Sequence, residues 1–153
     1  MTALTDLFVL DRIALNTAAQ SRADAFTTAG HLFANGIDLN ADAVIDFLNA
    51  REDLGSTALG AGVAIPHGRV KGLKQPIAAF VRLQDPIEFA APDGEAVGIL
   101  IFLLVPEKAT QQHLEILSSI AQLLSDPDAR AQLATEEDQS KVCQLLQTWS
   151  APL

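Results

Sequence analysis

Cysteine occurs once in this chain, at Cys143. No intramolecular disulfide is available to it, and nothing requires an oxidising compartment. Cys143 falls in a stretch patterned as an amphipathic helix, which makes it a small core or semi-exposed residue. Long apolar runs are missing too. The longest, Ile99 to Val105, has seven residues, against the roughly 20 that a membrane-spanning helix needs. The first residues, Met1-Thr-Ala-Leu-Thr-Asp6, have neither a basic head nor an apolar run, and Asp6 and Asp11 do not suit a transit peptide, so a soluble cytoplasmic protein is expected. Basic residues are scarce: ten Lys plus Arg stand against 19 Asp plus Glu, giving a net charge of -9 and a pI near 4.5. The densest basic stretch is only Arg69-Val-Lys71-Gly-Leu-Lys74. Neutralising nucleic-acid phosphates needs a dense positive face, so no nucleic-acid partner is expected. An acidic body instead favours encounter with a basic protein surface.

Repeats, low-complexity tracts and Pro/Gly-rich linkers are also missing, and 153 residues suffice to bury about two-thirds of the extended chain's surface around one core. One domain spanning residues 1–153 is expected. Ser21-Arg-Ala-Asp24 has the form of a capping box, followed by the apolar stripe Ala25, Phe26, Ala29, Leu32 and Phe33 and a stop at Gly36. A second helix starts at Asn40, carries Val44, Phe47 and Leu48 on one side, and brings Arg51 near its C-terminal end. Leu59 to Ile65 reads as a strand that ends at Pro66 and presents His67 just beyond it. Ile77 to Leu83 and Ile87 to Phe89 read as two strands, and Val97 to Val105 as a central strand buried on both faces. Thr110 caps a helix with Leu114, Leu117, Ile120, Ala121 and Leu124 as its apolar positions and His113 in its first turn. Asp126-Pro127 opens a short helix, and Thr135-Glu-Glu-Asp138 opens a last one with Val142, Leu145, Leu146 and Trp149 facing inward. Helices before and after a block of strands predict a three-layer α/β/α sandwich on a mixed sheet of about five strands.

Two of the three histidines and one arginine carry the candidate chemistry. His67 lies between a rigid proline and a small glycine, open to a partner yet held in one orientation, which suits a nucleophilic imidazole; an ordinary exposed loop histidine is the other reading. Arg51 offers a planar charged fork for phosphate oxygens or merely offsets the negative end of its helix dipole. Ser56 and Thr57 are hydroxyl donors for the same anion or plain turn residues after Gly55. His113, in a first helical turn, either bonds a neighbouring imidazole or phosphate or sits on the polar helix side. His31 lies inside the first helix and is taken as structural. His67 and His113 belong to no short metal-ligand pattern, no Gly-x-Ser-x-Gly elbow occurs, and Gly60-Ala-Gly62 completes neither a Walker loop nor a dinucleotide fingerprint.

Taken together, Gly-Val-Ala-Ile-Pro-His-Gly at 62–68, Arg-Glu-Asp-Leu-Gly-Ser-Thr at 51–57 and His-Leu-Glu-Ile-Leu at 113–117 resemble the signature of enzyme IIA domains of the bacterial phosphotransferase system, in the fructose/mannitol/nitrogen-regulatory class (type 2). The resemblance implies that an HPr-like phosphocarrier passes a phosphoryl group to Nε2 of His67, without metal or cofactor. It implies that His113 orients the reacting site and that Arg51 balances the phosphoryl charge. Arg51, Ser56, Thr57 and Gly68 are the expected phosphate-binding residues. The stand-alone length and Gly55-Ser-Thr57 resemble the nitrogen-regulatory branch, which acts on regulatory target proteins in nitrogen, carbon or potassium control. Delivery to a sugar-specific IIB domain and a binding module without phosphate chemistry are the alternatives. Ala58 stands where the family pattern suggests glycine, and a positive φ there would strain the turn.

Overall fold

The computed structural model describes Leu4 and residues 6–34, 39–108 and 111–149. After a 3-10 turn at Leu10–Arg12, the elements in chain order are β1 (Ile13–Thr17), α1 (Arg22–Ala34), α2 (Ala41–Asp53), β2 (Ala58–Gly60), β3 (Val63–Ala64), β4 (His67–Val70), β5 (Ile77–Ile87), β6 (Val97–Pro106), α3 (Gln111–Ser125), α4 (Pro127–Thr135) and α5 (Gln139–Thr148). The sheet order is β1-β5-β6-β3-β2, with β4 pairing with β6 off that path. Antiparallel β5/β6 forms its centre, while β1 joins β5 and both β3 and β4 join β6 in parallel.

Pleating of β6 sorts the core into two layers. Ile99, Ile101, Leu103 and Val105 pack with Ile116, Ile120, Leu133, Val142 and Leu146 from α3, α4 and α5. Leu100, Phe102 and Leu104 pack with Phe26, Phe33, Val44 and Leu48 from α1 and α2. Phe26 meets Phe102 edge to face, with ring centroids 5.5 Å apart. Helices on both faces explain why β6 is apolar almost throughout.

The three-layer architecture follows the sequence, with six strands in place of about five. The segment 59–65 folds into β2 and β3 around a turn at Gly60, Ala61 and Gly62, all with positive φ. The two expected strands at 77–89 merge into one long β5, irregular between Arg82 and Ile87. Ala58 is absent from the positive-φ positions, so alanine brings no strain there.

Local caps explain most helix starts. Ser21 Oγ accepts from Asp24 N–H at 3.2 Å, and the Asp24 carboxylate accepts from Gln20 N–H. Asn40 Oδ1 accepts from Ala43 N–H at 3.0 Å, and Asp126 caps α4 ahead of Pro127. The last helix is capped by Asp138 rather than Thr135, whose hydroxyl donates to Ala131 O at the end of α4. The Gly36 stop and the Thr110 cap lie outside the described residues. Two apolar assignments are corrected: Phe47 is 41% exposed and Leu114 is 61% exposed. The buried side of α3 carries His113, Ile116, Ile120, Leu123 and Leu124 instead. His31 is exposed on α1.

Candidate active site

β3 and β4 run along the same edge of β6 in one register, Val63 and Ala64 opposite Ile99 and Leu100, then His67 and Gly68 opposite Leu103 and Leu104. Ile65 and Pro66 break what is otherwise one strand. Proline has no N–H to donate, and Ile65 N–H turns to Thr57 O at 3.1 Å while Pro66 O still accepts from Leu103 N–H at 3.0 Å. His67 is therefore the first residue of a strand and not a loop residue beyond one.

Partners across a ladder point to the same face. Leu103 faces α3, and so do His67 and, two residues on, Arg69 opposite Val105. Gly68 turns toward α2, where an added Cβ would lie 3.9 Å from Phe47 Cβ. His113 comes from the first turn of α3, and its ring centroid lies 5.5 Å from that of His67, with the planes inclined by 51°. Strand parity and the inward turn of α3 thus bring the two imidazoles together.

The His67 ring is held by Nδ1, 2.8 Å from Ile65 O. A carbonyl only accepts, so Nδ1 carries the hydrogen and Nε2 keeps its lone pair. Burial holds the basicity of His67 below the ordinary imidazole range; the Ile65 carbonyl opposes this, the Arg51 guanidinium adds to it, and the Glu52 carboxylate opposes it. His113 is likewise lowered, chiefly by burial and then by His67 and Arg69. Both rings are neutral at neutral pH. Among the described residues, His113 Nδ1 is the buried side-chain nitrogen without a hydrogen-bond partner.

Arg51 occupies the last turn of α2 and donates from Nη1 to Gly55 O at 3.0 Å. The polar groups of the following loop anchor it to the elements around it. Ser56 Oγ donates to Phe89 O at 2.8 Å and accepts from Ala58 N–H. Thr57 donates both its N–H and its hydroxyl to the carboxylate of Glu52, which is 3% exposed. The Ser56 hydroxyl is thus engaged by the carbonyl of Phe89, beyond β5, and the Thr57 hydroxyl by a carboxylate of α2. Glu52 and Arg69 were passed over in the sequence. Val44, Leu48 and Glu52 recur every four residues, which puts this acid on the buried stripe of α2; Arg69 becomes visible once β4 is known to be a strand. No helix among the described residues is long and apolar enough to cross a membrane.

A three-layer mixed sheet with two neutral imidazoles and a guanidinium at one strand break defines a class that comparison identifies. Residues 6–149 match the model of the family described as phosphoenolpyruvate-dependent sugar phosphotransferase system, EIIA 2, and the chain belongs to that family. It is a component of a phosphotransferase system. The chain is 39% identical to a nitrogen regulatory protein of Pseudomonas aeruginosa over 134 residues, 87% of either chain. It is 36% identical to one of Bradyrhizobium diazoefficiens over 143 residues, 94% of either chain. The crystal structure of nitrogen regulatory protein IIA-Ntr from Neisseria meningitidis superposes with a TM-score of 0.89 at 42% identity, covering 94% of this chain and 98% of that one.

Proposed function

We propose that the chain, acting as one domain, is a regulatory phosphocarrier that receives a phosphoryl group on Nε2 of His67 from an HPr-like donor and reports its phosphorylation state to target proteins. The observation that carries this reading is the Nδ1–H bond to Ile65 O, which leaves Nε2 as the free nucleophile on a neutral ring. In the transfer, the Nε2 lone pair forms a bond to phosphorus while the donor's N–P bond breaks and its electron pair returns to the donor imidazole. No proton has to leave His67, so no general base is needed. Such a loose transition state asks for in-line positioning and for balancing of negative charge. Arg51, on releasing Gly55 O, supplies a guanidinium, and His113 supplies the second imidazole. The backbone at Gly68 approaches without a side chain in the way. Phe47, Leu114 and Leu54, the last 85% exposed, give the donor apolar rim to dock on.

The phosphorylated state places a dianion beside Arg51, which changes a docking face locally and suits a switch. Relatives named nitrogen regulatory protein favour the regulatory branch over delivery to a sugar-specific IIB domain. Incubation with phosphoenolpyruvate, enzyme I and an HPr-like carrier, followed by intact mass measured under alkaline conditions, is expected to give one phosphoryl adduct on wild type and none on His67→Ala. An adduct of equal yield on His67→Ala removes the proposal.

A further inference from the structure

Glu52 is the buried acid among the described residues, and no phosphoryl-transfer step calls for a carboxylate there. Its side chain accepts from Thr57 N–H and from the Thr57 hydroxyl. Thr57 O accepts from Ile65 N–H at 3.1 Å, and Ile65 O accepts from His67 Nδ1–H at 2.8 Å. Four residues from three parts of the fold, the end of α2, the loop before β2 and the strand break, are thereby linked by hydrogen bonds that join through the backbone of Thr57 and Ile65 and end on the His67 ring. Each bond belongs to a different peptide unit, so the chain transmits position rather than a proton.

We propose that Glu52 is a positioning residue for His67: through Thr57 and Ile65 it fixes the ring and its tautomer, and its buried negative charge keeps the phosphorylated ring ready to give its phosphoryl group up. The second part rests on the phosphocarrier reading. Arg51 and Glu52 are neighbours on the last turn of α2, and α2 abuts β4 where Phe47 lies against Gly68. One offers a positive charge to the incoming phosphoryl group and the other opposes it. The balance matters because a carrier that held its phosphoryl group too tightly would not release it. The effect of Glu52 on His67 basicity is upward, as a nearby anion requires. A carboxylate that stabilises a cationic ring destabilises a dianion on the same ring, so both effects must vanish together.

The test uses Glu52→Gln, which keeps the shape and one acceptor but removes the charge, and Thr57→Val, which keeps the charge but removes the hydroxyl link. Ring-nitrogen NMR of the unphosphorylated protein, titrated with pH, needs no phosphoryl donor. Glu52→Gln is expected to lower the pH at which His67 titrates and, in exchange with the phosphorylated donor, to shift the phosphoryl partition toward this chain by roughly three- to tenfold. Thr57→Val is expected to move the two ring-nitrogen shifts of His67 toward a tautomer mixture, with a smaller change in titration. A purely structural Glu52 would lower thermal stability in Glu52→Gln and leave the titration of His67 where it was, which overturns the proposal. If Glu52→Gln does not fold, unchanged tautomer shifts in Thr57→Val overturn it instead. Failure of wild type to accept phosphoryl removes the phosphocarrier reading, while the titration and tautomer arms still decide the role of Glu52 on the ring.

Discussion

The two ends of the central strand β6 treat their arginines in opposite ways. Near its start, Arg82 on the neighbouring β5 is buried, and its guanidinium donates to Leu133 O at 2.9 Å, to Glu136 O at 2.6 Å and to the Glu137 carboxylate at 3.2 Å. It ties the sheet to the end of α4 with its hydrogen-bonding capacity largely taken up. Near the other end, Arg51 makes one bond, to Gly55 O, and His113 Nδ1 makes none. A buried polar group left unpaired costs stability, and His113 Nδ1, the one such side-chain atom among the described residues, lies at the end where we propose that phosphoryl transfer takes place. Satisfaction, more than charge, separates the structural arginine from the one proposed to act in transfer.

The sharpest way to break this contrast is His67→Ala. It is expected to abolish the phosphoryl adduct entirely while leaving stability within about 1 kcal/mol of wild type, because one exchangeable hydrogen bond is lost; intact mass and chemical denaturation measure the two. Next comes Arg82→Met, which strands two carbonyls and is expected to cost about 2–4 kcal/mol in denaturant unfolding. The folded fraction of that variant should still take up phosphoryl at the wild-type rate. A large drop in transfer with no loss of stability would merge the two ends and defeat the comparison. Arg51→Lys inverts the pattern: transfer should slow by about tenfold or more, since an ammonium cannot present a two-pronged fork, with stability nearly unchanged.

The same contrast explains what the sequence made legible. Caps at Asn40 and Asp126 and the unbroken run Ile99 to Val105 depend on local chemistry, and they gave α2, α4 and β6 close to where they stand. β4 was hidden because His-Gly-Arg-Val has no strand composition; β6 supplies its ladder partners from 36 positions away in the chain. β1 was hidden for a related reason: Ile-Ala-Leu-Asn-Thr lacks a regular alternation and is half covered. Periodicity also turned Leu114 and Phe47 inward, whereas α3 buries His113 and leaves Leu114 out. An apolar stripe is therefore misread where a helix gives its inward position to a polar residue. The proposed reacting histidine was legible from Pro66 and Gly68 around it. The role proposed for Glu52 was not, because it rests on partners five and more residues away.

The smallest expected effect is also the one that isolates the His67 end by titration alone. His67 and His113 both have lowered basicity in the folded chain, chiefly through burial, whereas an unfolded imidazole titrates near the ordinary value of about 6.5. As pH falls below that value the unfolded state takes up protons that the folded state still refuses, so the stability these rings contribute is complete above it and is lost on the way down to their folded values. Asp93, held low first by the backbone N–H of Ala61, and Asp126, held low first by Trp149, act in more acidic solution. Denaturation between pH 7.5 and 5.5 is therefore expected to show stability declining with acid, at no more than about 1.4 kcal/mol per pH unit for each ring. Arg82→Met should keep this slope from its lower starting point, since both imidazoles remain. A double His67→Ala, His113→Ala variant should flatten it. A slope that survives in the double variant would mean that the pH sensitivity arises elsewhere in the fold and that the unpaired imidazole end is not a cost the protein carries.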